Sequence, residues 1–221
     1  MTESIIKPGT PLATAHIADV SDYGFLMSPR MQAVWAGAKC AGPAFTVQTA
    51  PGDNASLHQS LDLVRAGEVI VVDGQEFLKR ALWGAIMSKA AQVKGVAGIV
   101  MTGAVRDVDE IRELGFPAFA YGRSPATPYN KIRGRVGVPI VCGGIEVNPG
   151  DIVYADEDGV MVIPQSENLA TVARAHHREK LEHEIIEGLD RGKPLSSLLG
   201  ILRQPPEATS DKKSDKNEGS K

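Results

Sequence analysis

Two continuous apolar runs, Val69-Ile70-Val71-Val72 and Gly98-Ile99-Val100-Met101, constrain this chain more than any other feature. An unbroken run without apolar–polar alternation marks a strand buried on both faces, the kind that lies inside a sheet covered on each side. Between the runs, Leu82 to Val93 is rich in small residues and reads as a helix that packs closely on a sheet. Together they predict an α/β domain.

The rest of the chain fits around that centre. Ala13 to Asp22 predicts a short helix, and Met31 to Val47 predicts strands joined by glycines, ending in the alternating stretch Ala44-Phe45-Thr46-Val47. After the loop Pro51-Gly52-Asp53-Asn54, a helix carries Leu57, Leu61 and Val64 at helical spacing. Val108 to Leu114 predicts a short helix, Ala118 to Ala120 a strand, and 135–164 three short β segments. Glu167 to Gly188 is the longest expected helix, charged along much of its length. Residues 1–12 read as an arm. Pro205 to Lys221 holds no large apolar residue, so 205–221 is expected to be a disordered charged tail after one domain spanning 1–204. There is no internal repeat and no linker.

Composition narrows the function. The 221 residues can bury a sizeable core, and 43% hydrophobic with 23% charged residues is ordinary for a globular protein. A net charge of −3 favours neither nucleic acid nor an anionic membrane. No apolar run reaches the roughly 20 residues that span a bilayer, and the first residues lack the apolar core of a signal peptide. The expectation is a cytoplasmic protein with no membrane or nucleic-acid partner. Cys40 and Cys142 are the only cysteines, expected as reduced structural thiols without the His spacing of a zinc site. His16, His176, His177 and His183 form no ligand pattern, and no nucleotide-binding glycine pattern is present.

Three segments can carry chemistry. Gly103-Ala104-Val105-Arg106-Asp107 follows an apolar strand and precedes a helix, so it lies at the carboxyl end of a sheet strand, where α/β proteins bind ligands. The Arg106 guanidinium can grip a carboxylate or keto oxygen with two N–H groups, and Asp107 can offer a hard oxygen to Mg²⁺ or Mn²⁺. The structural alternative is a helix-start pair in which Asp107 caps the next helix. A helix beginning near Gly84 would leave the N–H groups of the Gly84-Ala85-Ile86-Met87 stretch without intrahelical partners, an anion site; the alternative is close packing on the sheet. Asn54, with His58 one turn on, can bond a substrate oxygen or merely cap a helix.

In order and spacing these segments resemble the 4-hydroxy-4-methyl-2-oxoglutarate aldolase family, also called RraA-like, over roughly Thr14 to Gly188. The likeness rests on Ala41-Gly42-Pro43-Ala44, Pro51-Gly52-Asp53-Asn54 with His58, Gly67 to Asp73, Trp83-Gly84 and Gly98 to Asp107. It continues through Phe116-Pro117-Ala118-Phe119, Val138 to Gly144, Val147-Asn148-Pro149-Gly150-Asp151 and Ala155 to Val160. The resemblance implies a swivelling β/β/α-type layered domain with a long C-terminal helix. It also implies a homotrimer, or a homohexamer built from trimers, with active sites between subunits.

Several roles are implied by the resemblance alone. Arg106 would grip the pyruvoyl group, Asp107 would contact a divalent cation largely through water, and the Gly84–Met87 backbone would receive the pyruvate carboxylate. A glutamate on the neighbouring subunit's C-terminal helix would complete the metal shell, with Glu179 the best match and Glu182 the alternative. The implied activity is class II, metal-dependent cleavage of a 4-hydroxy-2-oxo acid to pyruvate. Oxaloacetate decarboxylation, which passes through the same enolate, is expected beside it. The family also contains a ribonuclease E regulator that lacks the aspartate at the Asp107 position, so a non-catalytic binding protein is the rival reading. A methyltransferase is disfavoured, since no nucleoside-binding glycine loop follows the first strands. One departure concerns aldol cleavage: the family's aldolases usually carry Asp or Glu, thought to position a proton-donating water, where this chain has Ala85.

Overall fold

The computed structural model describes residues 12–21 and 25–200. Strand β3 (Val69–Asp73) lies parallel between β2 (Cys40–Gln48) and β5 (Gly98–Val105). Its side chains divide between two cores. Ile70 and Val72 pack with Val47, Leu57, Met87 and Ile99, whereas Val69 and Val71 pack with Ala44, Val100, Phe119 and Cys142. Both faces are therefore apolar, which is why the strand is an uninterrupted hydrophobic run. Fully burying one such side chain contributes roughly 1.5–3 kcal/mol, so a polar residue on either face would be costly.

Around this centre runs a nine-stranded mixed sheet. β6 (Ala118–Arg123) lies parallel to β5, and β1 (Gln32–Ala33) closes that side antiparallel to β6. On the other side, β10 (Ile152–Asp156) pairs antiparallel with β2, and β11 (Gly159–Ile163) pairs with β10. Two short strands lie off this path, β4 (Ala81–Trp83) beside β5 and β7 (Arg135–Val136) beside β2. β8 (Ile140–Cys142) and β9 (Ile145–Val147) form a separate hairpin.

Helices α2 (Ala55–Leu63), α3 (Ala85–Val93) and α4 (Val108–Glu113) cover the first core through Leu57, Leu61, Met87, Ala91 and Ile111. A third cluster joins Ile17 of α1 (Thr14–Ala18) and Ala175 of α5 (Gln165–Asp190) to Ile152, Tyr154, Met161 and Ile163. The Thr14 N–H and hydroxyl both donate to the buried Asp156 carboxylate, at 2.9 and 2.5 Å, and fasten α1 to the end of β10. The chain falls into two compact units, one up to Glu179 and one from Lys180. The second holds the end of α5 and α6 (Leu195–Leu198).

Several boundaries differ from the sequence expectation. Leu82 and Trp83 belong to β4, not to the helix. All three β4 residues are buried beside β5, and the helix begins only after Gly84. β5 runs on to Val105 and β6 to Arg123, because each is paired there by its neighbour although glycines interrupt the apolar run. Residues 135–164 hold five β segments instead of three, since pairs of two or three residues leave little periodicity to read. The 205–221 tail and the first eleven residues of the expected arm lie outside the described residues. Cys40 and Cys142 are free and buried, as expected. Burial pushes the Cys40 thiol up to about 12. It raises Cys142 as well, aided by the Asp73 charge.

Candidate active site

The site begins where β5 ends. The Arg106 N–H donates to the Trp83 carbonyl at 3.0 Å, which ties the strand end to β4. Asp107 then turns into the left-handed region, at φ 57° and ψ 46°. A non-glycine residue pays on the order of 1–3 kcal/mol for such a backbone, and strain of this kind concentrates at functional sites. The turn aims the carboxylate away from α4, which it does not cap although Asp107 holds the N-cap position. Instead Oδ2 accepts the Ala85 N–H at 3.1 Å, so Asp107 caps α3.

Gly84 makes this approach possible. A Cβ there would lie 2.5 Å from Asp107 Oδ2 and 3.1 Å from Arg106 Cγ, too close for either side chain to stay in place. The first turn of α3 is held from behind. Trp83 Nε1–H donates to Ser88 Oγ at 2.8 Å, and that hydroxyl donates to the Gly84 carbonyl at 3.1 Å. By their position, the N–H groups of Ile86 and Met87 lack intrahelical acceptors, and they add to the positive end of the helix dipole.

Arg106 Nε lies 3.5 Å from Asp107 Oδ2, with the two side chains 35% and 34% exposed. A pair this accessible contributes little stability, so what it fixes is orientation. Arg106 Nη1 also reaches Thr127 Oγ1 at 3.4 Å.

The opposite wall is built by Asp53 and Asn54. Asp53 is buried; one of its oxygens accepts the Ala55 N–H at 2.9 Å, and the other accepts those of Lys131 and Ile132 at 2.8 and 2.9 Å. Burial pushes this carboxyl up, but the three N–H donors outweigh it and hold it below its ordinary value. Tyr129 and Asn54 reinforce the join: Tyr129 N–H donates to the Gly52 carbonyl, and Asn54 N–H donates to the Tyr129 carbonyl. The Asn54 side-chain amide donates to the Leu82 carbonyl at 3.3 Å and to Met87 Sδ at 3.7 Å, tying the start of α2 to β4 and α3.

The result is a pocket of about 230 Å³ with Arg106 and Asp107 beside the α3 N-terminus and Leu82, Trp83 and Met87 as apolar wall. Gly84, Ile86, Met87, Arg106, Asp107 and Asn54, all singled out from sequence, line it. Ala85 does not. Its N–H serves Asp107, and the residue borders a neighbouring groove between α3 and α4. Glu179 is not among the lining residues; it lies on α5, paired with His176 at 3.3 Å. Thr127, Pro128 and Asn130 line the pocket without having been singled out. Their segment, Ser124 to Asn130, reads only as turn chemistry. The link to them is Asp53, whose burial demands donors, and its neighbours Gly52 and Asn54 leave that burial unmarked in the sequence. His58 also lines the pocket.

Among the described residues no three His, Cys, Asp or Glu side chains converge as a metal cage. One carboxylate beside an open pocket fits a hard cation that keeps most of its water, as Mg²⁺ does. No helix among these residues is long and apolar enough to cross a membrane.

Comparison with known proteins matches residues 14–162 to the RraA-like family (Aldolase/RraA). A Thermus thermophilus protein named 4-hydroxy-4-methyl-2-oxoglutarate aldolase is 34% identical over 152 residues, 69% of this chain and 92% of that one. A Halalkalibacterium halodurans protein, provisionally given the same name, is 40% identical over 135 residues; the match covers 60% of this chain and 64% of that relative's length. Among solved structures, a Pseudomonas syringae protein superposes with a TM-score of 0.77 at 32% identity, covering 85% of this chain and 92% of that one. A Thermus thermophilus structure described as the RNA-processing inhibitor RraA gives 0.64 at 34% identity, covering 69% and 93%.

Proposed function

This chain belongs to the RraA-like family, and we propose that it is a divalent-metal-dependent pyruvate lyase. Its substrates are 4-hydroxy-2-oxo acids such as 4-hydroxy-4-methyl-2-oxoglutarate, with oxaloacetate decarboxylation as a second activity. The observation that carries the reading is the pairing of Arg106 and Asp107 at the α3 N-terminus, inside one pocket.

The residues divide the work. The α3 N-terminal amides receive the substrate carboxylate, where the helix dipole favours an anion. The Arg106 fork holds the 2-keto oxygen, and as the C3–C4 bond breaks it faces the negative charge that gathers there. Leu82, Trp83 and Met87 keep that side of the pocket dry, which strengthens the electrostatic grip. Asp107 offers the chain's carboxylate to Mg²⁺ or Mn²⁺, with Glu179 or Glu182 of a second copy in a homotrimer or homohexamer as the other. When bound, the cation supplies Lewis-acid polarisation of the 2-keto oxygen.

The test is pyruvate release from 4-hydroxy-4-methyl-2-oxoglutarate and from oxaloacetate, after chelation and after Mg²⁺ is restored. Turnover that vanishes with chelator and returns with Mg²⁺ is expected. Metal-independent turnover, or none on either substrate, overturns the reading. The relative described as an RNA-processing inhibitor favours one alternative, a protein-binding regulator, which would turn over neither substrate.

A further inference from the structure

Aldol cleavage must remove the proton from the C4 hydroxyl, and the pocket holds few groups that can take it. Arg106 stays protonated at any working pH. Asp107 Oδ2 is held by the Ala85 N–H and lies beside Arg106 Nε. Ala85 has no side-chain acceptor. Among the described residues, the remaining titratable side chain lining the pocket is His58.

Its backbone is placed by the helix that carries it, and its side chain is exposed where it lines the pocket. Asn54, at the α2 N-cap, is bonded to the Leu82 carbonyl and Met87 Sδ. His58 stands four residues later, and its N–H donates to the Asn54 carbonyl at 3.1 Å. Positions i and i+4 share a helix face, so the contacts that bind Asn54 to the pocket wall also turn His58 toward the pocket. Arg106 and Asp107 line the same pocket, and Asp62 stands one turn on along α2.

The geometry points to His58 as the proton-transfer residue of aldol cleavage, a role that rests on the lyase reading above. Neutral imidazole takes the C4 hydroxyl proton. The oxygen lone pair closes the new C4 carbonyl, and the C3–C4 bonding pair moves into the pyruvate enolate. The imidazolium then returns that proton to C3, giving pyruvate and the second carbonyl product. No electron, oxidant or further reactant is needed. Oxaloacetate loses CO₂ without any hydroxyl deprotonation, so the two reactions depend on His58 to different degrees. Imidazole can take a proton at one ring nitrogen and return it, as this exchange requires.

The experiment compares the wild-type protein with His58→Gln and His58→Ala, on both substrates, with Mg²⁺ present. Aldol kcat is expected to fall about 100-fold in both variants, at the low end of general acid–base assistance. Their KM should change little, and the ratio of aldol cleavage to decarboxylation should drop at least tenfold. Imidazole added to the buffer should restore part of the His58→Ala activity, which a packing role would not allow. Equal losses on both substrates without imidazole rescue, or a rise in KM alone, overturn the assignment. A wild-type protein that decarboxylates oxaloacetate but does not cleave the aldol substrate overturns it as well, and leaves the lyase reading standing. Inactivity of the wild type on both substrates sinks the lyase reading first and this assignment with it.

Discussion

Asp107 Oδ2 accepts the Ala85 N–H at 3.1 Å, across a gap that exists because Gly84 has no side chain. A carboxylate from the end of one strand thus caps the helix that follows another. The contact brings the pocket's acid, its arginine and its helix amides within reach of one ligand.

Gly84→Ala is therefore expected to disable the site without unfolding the protein. The new Cβ would fall 2.5 Å from Asp107 Oδ2 and 3.1 Å from Arg106 Cγ, so both side chains must move. The backbone at Gly84, φ −159° and ψ −169°, suits alanine. Displacing reacting groups by about 1 Å can cost on the order of 100-fold in rate. A fall of at least tenfold in kcat/KM with an unchanged far-UV spectrum is expected. Activity within twofold of wild type would show that the Asp107–Ala85 contact has no part in function.

Asp107→Ala and Asp107→Gly should both abolish Mg²⁺-dependent turnover, yet differ in stability. Alanine keeps the cost of φ 57°, while glycine removes it. Both lose the negative charge at the α3 N-terminus, worth about 0.3–1 kcal/mol. The glycine variant should therefore be more stable than the alanine variant by about 1 kcal/mol in urea unfolding. The reverse order would mean that Asp107 is not strained in solution.

Arg106→Lys keeps the charge and loses the planar fork. Hydrogen bonds to charged groups contribute roughly 1.5–3 kcal/mol. At about tenfold per 1.36 kcal/mol, losing one costs on the order of 10- to 100-fold in kcat/KM. A lysine variant within twofold of wild type would make the arginine structural.

How much of this was legible beforehand depended on whether a residue's role is local. The two apolar strands, the glycine at the head of α3 and the Arg106-Asp107 pair read directly from the chain, because burial on both faces and helix starts leave local marks. The capping of α3 by Asp107 did not, since the partners are 22 positions apart and the obvious local target is α4. Thr127, Pro128 and Asn130 were hidden for the same reason. They reach the pocket through the hydrogen bonds of Asp53 to Lys131 and Ile132, 78 and 79 positions away. β4, three residues buried beside β5, was absorbed into the helix because so short a strand has no period of its own.

Asp53→Asn tests that long-range wall and carries a pH signature. The folded-state carboxyl is held below its ordinary value, so its stabilisation is present above the unfolded pKa of about 3.9 and fades as pH falls through the folded pKa. An amide offers one oxygen in place of two and turns an NH₂ toward a backbone donor, at a cost of about 1–3 kcal/mol. The variant should be less stable than wild type at pH 7, with the gap narrowing below pH of about 4. Its KM should rise as the Thr127–Asn130 wall loosens. A gap that stays constant from neutral to acid pH would contradict the ionised role.

Ala85→Asp restores the acidic residue usual in the family's aldolases, and its outcome depends on several competing charges. A carboxylate at the first position of α3 is favoured by the helix dipole and stands four residues before Lys89, together about 0.5–1.5 kcal/mol. Against this stand Asp107, whose oxygen accepts the N–H of residue 85, and Glu110 and Glu113, which border the same groove. The opposing terms are similar in size, so the variant is expected to fold with a stability change within about 1 kcal/mol. Repulsion between two neighbouring carboxylates falls when a cation sits beside them, so Mg²⁺ should raise the variant's Tm more than that of the wild type. In catalysis, the metal, Arg106 and the α3 amides serve both reactions, and only aldol cleavage needs help with the hydroxyl proton. Residue 85 borders the neighbouring groove, so the new carboxylate must turn into the pocket to help; the ratio of aldol cleavage to oxaloacetate decarboxylation, read from kcat and KM for both substrates, rises in the variant where it does. An unchanged ratio, beside a wild-type protein already efficient on the aldol substrate, would mean that Ala85 does not limit cleavage. The proton would then be handled elsewhere in the pocket, where His58 stands.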